Sequence, residues 1–245
     1  MNLVKAEMTK TFREAFRYYA DMVVGIVTDF LLLILVLRLD GSQTEKVLSY
    51  VFWILVNGVL NEASICISTE KQLGTLQNLM IKPNSILSII TVKTVVWFIL
   101  SVARAVLLLF VATALFGLEG VFRLEYLCVA ALVCFGTMGV SYILASLTLM
   151  FTKVATFVNI IGYLFLFLSG SIVRIPDSLI YTNPLSCGVM VMQQVNGGAS
   201  FFQAGGSQLA EGFGILALIS TAWFLAGLIF FKVTFARAKQ FKWSY

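Results

Sequence analysis

The sequence predicts an all-α, polytopic membrane protein with six transmembrane helices. Apolar residues make up 60% of the 245-residue chain, charged residues make up only 12%, and the mean hydropathy is +0.95. A soluble core could not bury this much apolar side chain. The apolar residues gather in six runs, several of them close to the roughly 20 residues that a helix needs to cross a bilayer. Lysine and arginine residues collect between alternate runs, as the positive-inside rule predicts for a multi-pass protein.

Residues 1–20 precede the first apolar run and predict an amphipathic helix. Val4, Met8 and Phe12 recur at helical spacing, and charged residues such as Lys5 and Arg13 occupy the opposite face. A helix of this pattern lies in the membrane interface. It could serve only as an anchor, or it could also contact a cytoplasmic partner.

Six transmembrane helices are predicted, at residues 21–38, 47–67, 93–118, 126–151, 154–174 and 212–231. Three of the spans carry an ionisable residue within the apolar run: Asp29 in the first, Glu62 in the second and Arg104 in the third. An unpaired charge in the middle of a bilayer costs roughly 2.5 kcal/mol or more. We therefore expect Asp29 and Arg104 to face the protein interior, where we favour an ion pair between them over contact with a substrate.

The distribution of basic residues predicts the orientation of the spans. Lys10, Lys82, Lys153 and Arg237 represent four basic regions that all fall on one side of the six-span topology. This side is the cytoplasmic side by the positive-inside rule, so both termini are expected in the cytoplasm. The membrane is expected to be the plasma membrane of a bacterium. The net charge of +5 reflects this asymmetry and contact with lipid headgroups rather than nucleic-acid binding.

A short polar hairpin at residues 70–83 joins the second and third spans on the cytoplasmic side. Gly74 is expected to break the preceding helix, and Thr75 is a good N-cap for a new one. Leu76 and Leu79 then fall on one helical face, and Pro83 ends the segment. A short amphipathic helix of this kind fits the groove of a soluble partner.

The segment before the sixth span, residues 175–211, is moderately apolar but interrupted. Ser169, Gly170 and Pro176 break the fifth helix near the outer surface, and Asn183 and Pro184 begin a further turn. Irregular backbone at membrane depth is tolerated where it packs against protein or lines a cavity. The pattern predicts short re-entrant helices on the external side, followed by a glycine-rich loop.

Two motifs together resemble the permease subunit of ABC-2 type transporters. The first is Glu-x-x-x-Gly-Thr-Leu-x-x-Leu-x-x-x-Pro at residues 70–83. The second is Ser-Gly, a following Pro and Asn-Pro-Leu between Ser169 and Leu185. The resemblance covers nearly the whole chain, because the interfacial helix, the six spans, the hairpin and the external segment follow the order of that family. It implies a single permease domain, 1–245, that pairs with a second copy or a homologous permease and seats on a separate ABC ATPase.

The resemblance also implies roles for particular residues. It makes the hairpin the coupling helix that docks on the ATPase, formed by Glu70, Gly74, Thr75, Leu76, Leu79 and Pro83. It places the substrate cavity between the second and fifth spans, with candidate lining residues Phe52, Val56, Asn57, Leu60, Phe157, Asn159, Ile160 and Tyr163. For each of these candidates, ordinary helix packing is the alternative.

The chain is not expected to be an enzyme. It has no Gly-x-x-x-x-Gly-Lys-Ser/Thr phosphate-binding loop, so ATP and Mg²⁺ are expected in the partner ATPase. It has no histidine, and its four cysteines lack paired spacing, so neither a metal site nor a disulfide framework is predicted.

The resemblance implies an exporter, and an amphipathic drug, an antimicrobial peptide or a lipid-like molecule would suit an aromatic and aliphatic cavity. Two alternatives remain. One is a permease for polysaccharide or lipid-linked glycan export. The other is an ion-coupled secondary transporter that uses Asp29, Glu62 and Arg104.

Overall fold

The computed structural model describes residues 3–17, 19–39, 42–72, 74, 86–118, 123–151, 155–173, 176–197 and 206–240. Within these ranges the chain is helical and contains no strand, which confirms the all-α prediction. The helices are α1 Leu3–Arg17, α2 Tyr19–Leu37, α3 Gln43–Gln72, α4 Ile86–Phe116, α5 Leu124–Met150, α6 Ala155–Leu168, α7 Asp177–Ile180, α8 Pro184–Asn196 and α9 Gly206–Gln240.

Four of these helices, α3, α4, α5 and α9, are long and apolar enough to cross a membrane. Two shorter apolar segments, Met22–Leu37 in α2 and Thr156–Leu168 in α6, fall at the predicted first and fifth spans. Length and composition therefore support a multi-pass membrane protein. The count of six spans and their orientation stay predictions.

Helix α3 occupies the centre of the bundle. It packs against α2, α4, α5, α6 and α8, and Tyr50, Val56 and Leu60 on it are fully buried. Helix α3 can be enclosed in this way because its middle section is apolar on nearly every side. Helix α9, by contrast, leaves most of its apolar surface uncovered by the rest of the chain, as expected for a helix that faces lipid.

Helices α5 and α9 approach each other closely at two glycines. A Cβ atom on Gly227 would collide with the backbone of Gly139, and one on Gly139 would collide with the backbone at Trp223 and Phe224. Small residues let membrane helices approach until their backbones touch, which maximises van der Waals contact where hydrophobic burial gives little.

The boundaries of α3 and α4 differ from the sequence prediction. Helix α3 continues to Gln72, so Glu70 lies in its last turn rather than in the hairpin, and α4 already begins at Ile86. A helix need not end where its apolar section ends, because water satisfies its exposed backbone groups. Gly74 has a φ of +68°, which agrees with the predicted break after α3. Thr75, Leu76, Leu79 and Pro83 lie outside the described residues.

The predicted external segment contains two short helices. Helix α6 ends at Leu168, earlier than the predicted end of the fifth span, and Gly170 there has a φ of +73°. Helix α7 is a single turn, and α8 packs against α5 and α9 with most of its residues buried. Burial against protein is the condition under which such interrupted backbone is stable near a membrane. Whether these helices are re-entrant stays a prediction.

Candidate functional site

A cavity of about 430 Å³ with a mixed polar and apolar lining lies between α2, α3, α4 and α6. Its lining is contributed by Met22 and Asp29 of α2, by Trp53, Ile54, Asn57, Gly58, Asn61 and Ile65 of α3, by Trp97, Leu100, Ser101 and Arg104 of α4, and by Asn159 of α6. The volume falls in the range of small-molecule sites, which run from about 300 to 1,000 Å³.

One face of α3 supplies the largest share of this lining. Trp53, Asn57 and Asn61 are spaced four residues apart, so they follow one another along the same side of the helix. The amide of Asn61 donates to both the backbone and the side-chain oxygen of Asn57, each at 2.9 Å. The indole of Trp53 donates to the carbonyl of Gly162 at 2.7 Å and so ties α3 to α6 beside the cavity.

Asp29 and Arg104 form an ion pair across the cavity, between α2 and α4. This is the pairing that the sequence analysis favours. Glycine makes room for it, because a Cβ atom on Gly25 would lie 2.8 Å from the Arg104 guanidinium. The Arg104 side chain remains 31% exposed, and its Nε is buried without a hydrogen-bond partner among the residues that the structure describes. The phenol of Tyr50 donates to the backbone carbonyl of Asp29 at 3.0 Å, which fixes α2 against α3 at this level.

A second cavity of about 140 Å³ adjoins the first. It shares Asp29, Trp53, Asn57 and Asn159 with the larger one, and it adds Tyr163 of α6. Polar and aromatic side chains therefore continue from α4 across α3 to α6. We call the two together the ion-pair cavity.

The predicted cavity residues separate into two groups. Asn57, Asn159 and Tyr163 line the ion-pair cavity. Val56 and Leu60 are buried in the bundle, and Phe52 is buried beside an apolar cleft of about 130 Å³ between α3, α4 and α5. Phe157 and Ile160 lie on the exposed face of α6. Glu62 lies within α3, and its side chain is not among those described.

Most of the lining residues were not among the sequence candidates, and these include Trp53, Asn61, Trp97 and Ser101. The spacing of four residues that joins Trp53 and Asn61 to Asn57 was available in the sequence, as was the shorter run of Trp97, Ser101 and Arg104 on α4. That both stripes face one cavity follows from the rotation of each helix in the bundle, which the sequence pattern does not define.

The cytoplasmic end of α3, as the sequence predicts it, is tied to the end of α5. The ammonium of Lys71 donates to the carbonyl of Leu149 at 3.1 Å and to that of Phe151 at 3.4 Å. The final carbonyls of a helix lack partners inside the helix and carry its negative dipole end, so a lysine there stabilises the helix end. Glu70 lies one residue earlier in α3.

The predicted external cap is an ordered network around the start of α8. Asn183 is the N-cap, and its side chain accepts from the Ser186 backbone N–H at 2.8 Å while Pro184 fills the first helical position. The Ser186 hydroxyl donates to the carbonyl of Leu168 at 2.8 Å, which joins α8 to the end of α6. Ser169 is buried, and Pro176, which precedes α7, is exposed.

Comparison with known proteins gives one finding. The family model described as ABC-2 type transporter matches residues 1–196. No curated protein and no solved structure matches the chain. The matched residues include every residue of the ion-pair cavity and end with the last residue of α8.

Proposed function

The chain belongs to the ABC-2 type transporter family and is therefore a transmembrane permease of an ABC transporter, and we propose that it forms the export path for an amphipathic substrate. The observation that carries the proposal is the family match over residues 1–196, which spans the cavity and both motifs. ATP hydrolysis is assigned to a separate ATPase, with which the permease forms a complex that contains a second permease copy or a homologue.

The proposed route of coupling starts at the segment after α3. We assign residues 70–83 as the contact with the ATPase, so that closure of the ATPase subunits displaces the cytoplasmic end of α3. The bond of Lys71 to the end of α5 supports this assignment, because it would pass the displacement to a second long helix. Nucleotide can shift a two-state permease only through a difference in affinity for its inward-open and outward-open forms.

The proposed substrate class follows from the mixed lining of the ion-pair cavity. Its polar groups include an ion pair, three asparagines and a serine, and they stand beside tryptophan rings and aliphatic side chains. A molecule with one polar end and one apolar end can satisfy both kinds of surface, whereas a small hydrophilic ion would leave the apolar groups without a partner.

The test is transport by the permease with its ATPase in proteoliposomes. We expect the chain to co-purify with a P-loop ATPase and to move an amphipathic substrate only with ATP and Mg²⁺. A complex whose ATPase carries a substitution of the phosphate-binding lysine is the matched control, and it should bind but not transport. Transport driven by a proton gradient without ATP would establish the ion-coupled alternative, and stimulation by glycans alone would establish the glycan-export alternative.

A further inference from the structure

The ion-pair cavity carries two opposite charges in contact. Asp29 and Arg104 are the charged side chains in the described lining, and they pair with each other. The other polar groups are uncharged, namely the asparagine amides and the hydroxyls of Ser101, Thr28 and Tyr163. The cavity therefore has a mixed polar and apolar lining that is close to electrically neutral as a whole.

The guanidinium of Arg104 has further capacity to bind. The ion pair uses Nη2, whereas Nε is buried and has no hydrogen-bond partner within the described part of the chain. A buried, unpaired donor on a charged group is costly. Arg104 lines the cavity and its side chain is 31% exposed, so a ligand in the cavity can reach the side chain. Arginine can bind an anionic oxygen pair through two parallel N–H groups.

A ligand with a net charge gains little from such a cavity. A cationic group is attracted by Asp29 but repelled by the nearby Arg104. An anionic group is attracted by Arg104 but repelled by Asp29. Either group also loses its hydration on entering a cavity midway along α2 and α4, without full compensation. A zwitterion is different, because its anion can bind Arg104 while its cation binds Asp29, and no charge is left without a partner.

The tryptophans of the cavity agree with this reading. Trp53 and Trp97 both contribute to the lining. Indole rings attract alkylammonium groups through cation–π interaction. A cationic group near Asp29 would thus have an aromatic partner in addition to the carboxylate.

We infer that the ion-pair cavity is the headgroup site for a zwitterionic amphiphile, one with a single anionic group, a single cationic group and an apolar tail. The inference rests on the proposed function, because it names the substrate class of the same path. Two sources share this chemistry, a membrane phospholipid and an exported compound.

The experiment compares probes that share a twelve-carbon tail and differ in headgroup. The probes are dodecylphosphocholine, dodecyltrimethylammonium, dodecyl sulfate and uncharged dodecyl maltoside, each below its micellar concentration. The full chain is reconstituted in phosphatidylglycerol nanodiscs, and the change in emission of Trp53 and Trp97 on binding is measured in a background where Trp223 and Trp243 are replaced by Phe. No ATP is present.

The double variant Asp29→Asn with Arg104→Gln is the reference, because dividing by its affinity cancels the different partition of each probe into the bilayer. We expect wild type to bind the zwitterionic probe about tenfold more tightly than the double variant does, since charge-assisted contacts are worth this much. The other three probes should differ little between the two proteins. Equal affinity of wild type and double variant for dodecylphosphocholine overturns the inference.

The two single variants should prefer probes of opposite charge. Asp29→Asn leaves Arg104 alone and should favour dodecyl sulfate, and Arg104→Gln leaves Asp29 alone and should favour dodecyltrimethylammonium. Folded single variants whose preference does not move contradict the inference. If an unpaired charge prevents folding, the comparison of wild type with the double variant decides the matter without them.

Two neighbouring residues on α4 test the location. Leu100 lines the cavity and Ile99 is exposed on the bundle surface. Leu100→Phe should weaken binding of the zwitterionic probe, and Ile99→Phe should not. Equal effects of the two substitutions would place the probe outside the cavity and overturn the inference.

Competition by added phosphatidylcholine distinguishes the two sources of the ligand. If adding phosphatidylcholine to the nanodiscs competes with the probe, membrane lipid occupies the site; if it does not, the site selects an exported compound. Binding is measured without nucleotide, so the two proposals can fail separately. If the headgroup preference is found but ATP-driven transport is not, only the export proposal is refuted. If transport is found but the headgroup preference is not, only the inference about the headgroup site is refuted.

Discussion

At the scale of single residues, the Asp29–Arg104 pair limits which substitutions the ion-pair cavity tolerates. Asp29 lies near the middle of α2 and Arg104 is well inside α4, so each is about two turns or more from the nearest helix end. Breaking one side of a buried pair is more harmful than removing both, because a single deletion leaves one charge without compensation.

Single neutralisation of the pair should therefore lower stability more than double neutralisation. We expect Asp29→Asn or Arg104→Gln each to cost roughly 2.5 kcal/mol or more, the order of an unpaired charge at mid-bilayer. The variant with both substitutions should recover most of that loss. Thermal unfolding in nanodiscs measures this, and additive losses in the double variant would contradict the proposed coupling.

The pair could be anticipated from the sequence, whereas its surroundings could not. Asp29 and Arg104 stand out because charges are rare in apolar runs, and their mutual attraction follows from the cost of leaving either alone. Trp53 and Trp97 carry no comparable signal, because tryptophan is ordinary both in cores and near lipid. Their common orientation depends on how α3 and α4 rotate against each other.

At the scale of helices, the α5–α9 contact depends on two glycines that leave no space for a side chain. The backbone of Gly139 meets Gly227, whereas a Cβ atom on Gly214 of the same α9 would meet nothing within 4 Å. Gly227 and Gly214 of α9 thus form a matched pair, one in a tight contact and one in open space.

Gly227→Ala should destabilise the bundle by about 1–3 kcal/mol, the usual cost of overpacking a tight contact. Gly214→Ala should be neutral or slightly stabilising, since alanine has the higher helix propensity. The melting temperatures of the two variants in the same detergent test this. A Gly227→Ala variant as stable as Gly214→Ala would show that α5 and α9 do not touch there.

The N-cap of α8 gives a second test at this scale. Asn183→Ala removes the acceptor for the Ser186 N–H and should cost about 0.5–2 kcal/mol. Asn183→Ser retains a capping oxygen and should lose far less. Hydrogen exchange of the first turn of α8 measures the effect locally, and equal protection in both variants would argue against the cap.

The helix scale also shows where sequence patterns are sufficient. Long apolar segments predicted α3, α4, α5 and α9, because length and hydropathy alone decide whether a helix can span a bilayer. The ends of α3 and α4 were less predictable, since polar residues such as Glu70 suit both a helix end and a hairpin. Tertiary contact resolves this case, because Lys71 holds the last turn of α3 against α5.

At the scale of the whole molecule, the contact of Lys71 with the end of α5 should affect the coupling of ATP hydrolysis to transport rather than the binding of substrate. Lys71→Met removes the donor to the end of α5, and we expect ATP-driven transport to fall several-fold while ATP hydrolysis changes less. Lys71→Arg, which retains charge and donors, is the control. The ratio of substrate moved to ATP hydrolysed is the measurement, and an unchanged ratio in Lys71→Met would refute the role.

Orientation is tested by labelling from each side of the membrane. A cysteine introduced at Gln77 should react with an impermeant maleimide only from the cytoplasmic side, and one at Ala199 only from outside. The unmodified chain is the control for native cysteines. Among these, Cys187 of α8 should contribute little, because burial raises the pKa of its thiol to about 11 and keeps it protonated at neutral pH. Labelling of Gln77→Cys from outside would show that the orientation is the reverse of the predicted one.

Because α3 has 30 residues in one continuous helix, it extends about 45 Å, the product of its length and the rise per residue. The same helix carries two of the three asparagines of the cavity and, from its last turn onward, the proposed contact with the ATPase. Thermodynamic linkage then acts in both directions: if nucleotide alters the affinity of the cavity by some factor, cargo alters the affinity for nucleotide by the same factor. Binding of cargo in the cavity would thus change the nucleotide affinity of the ATPase.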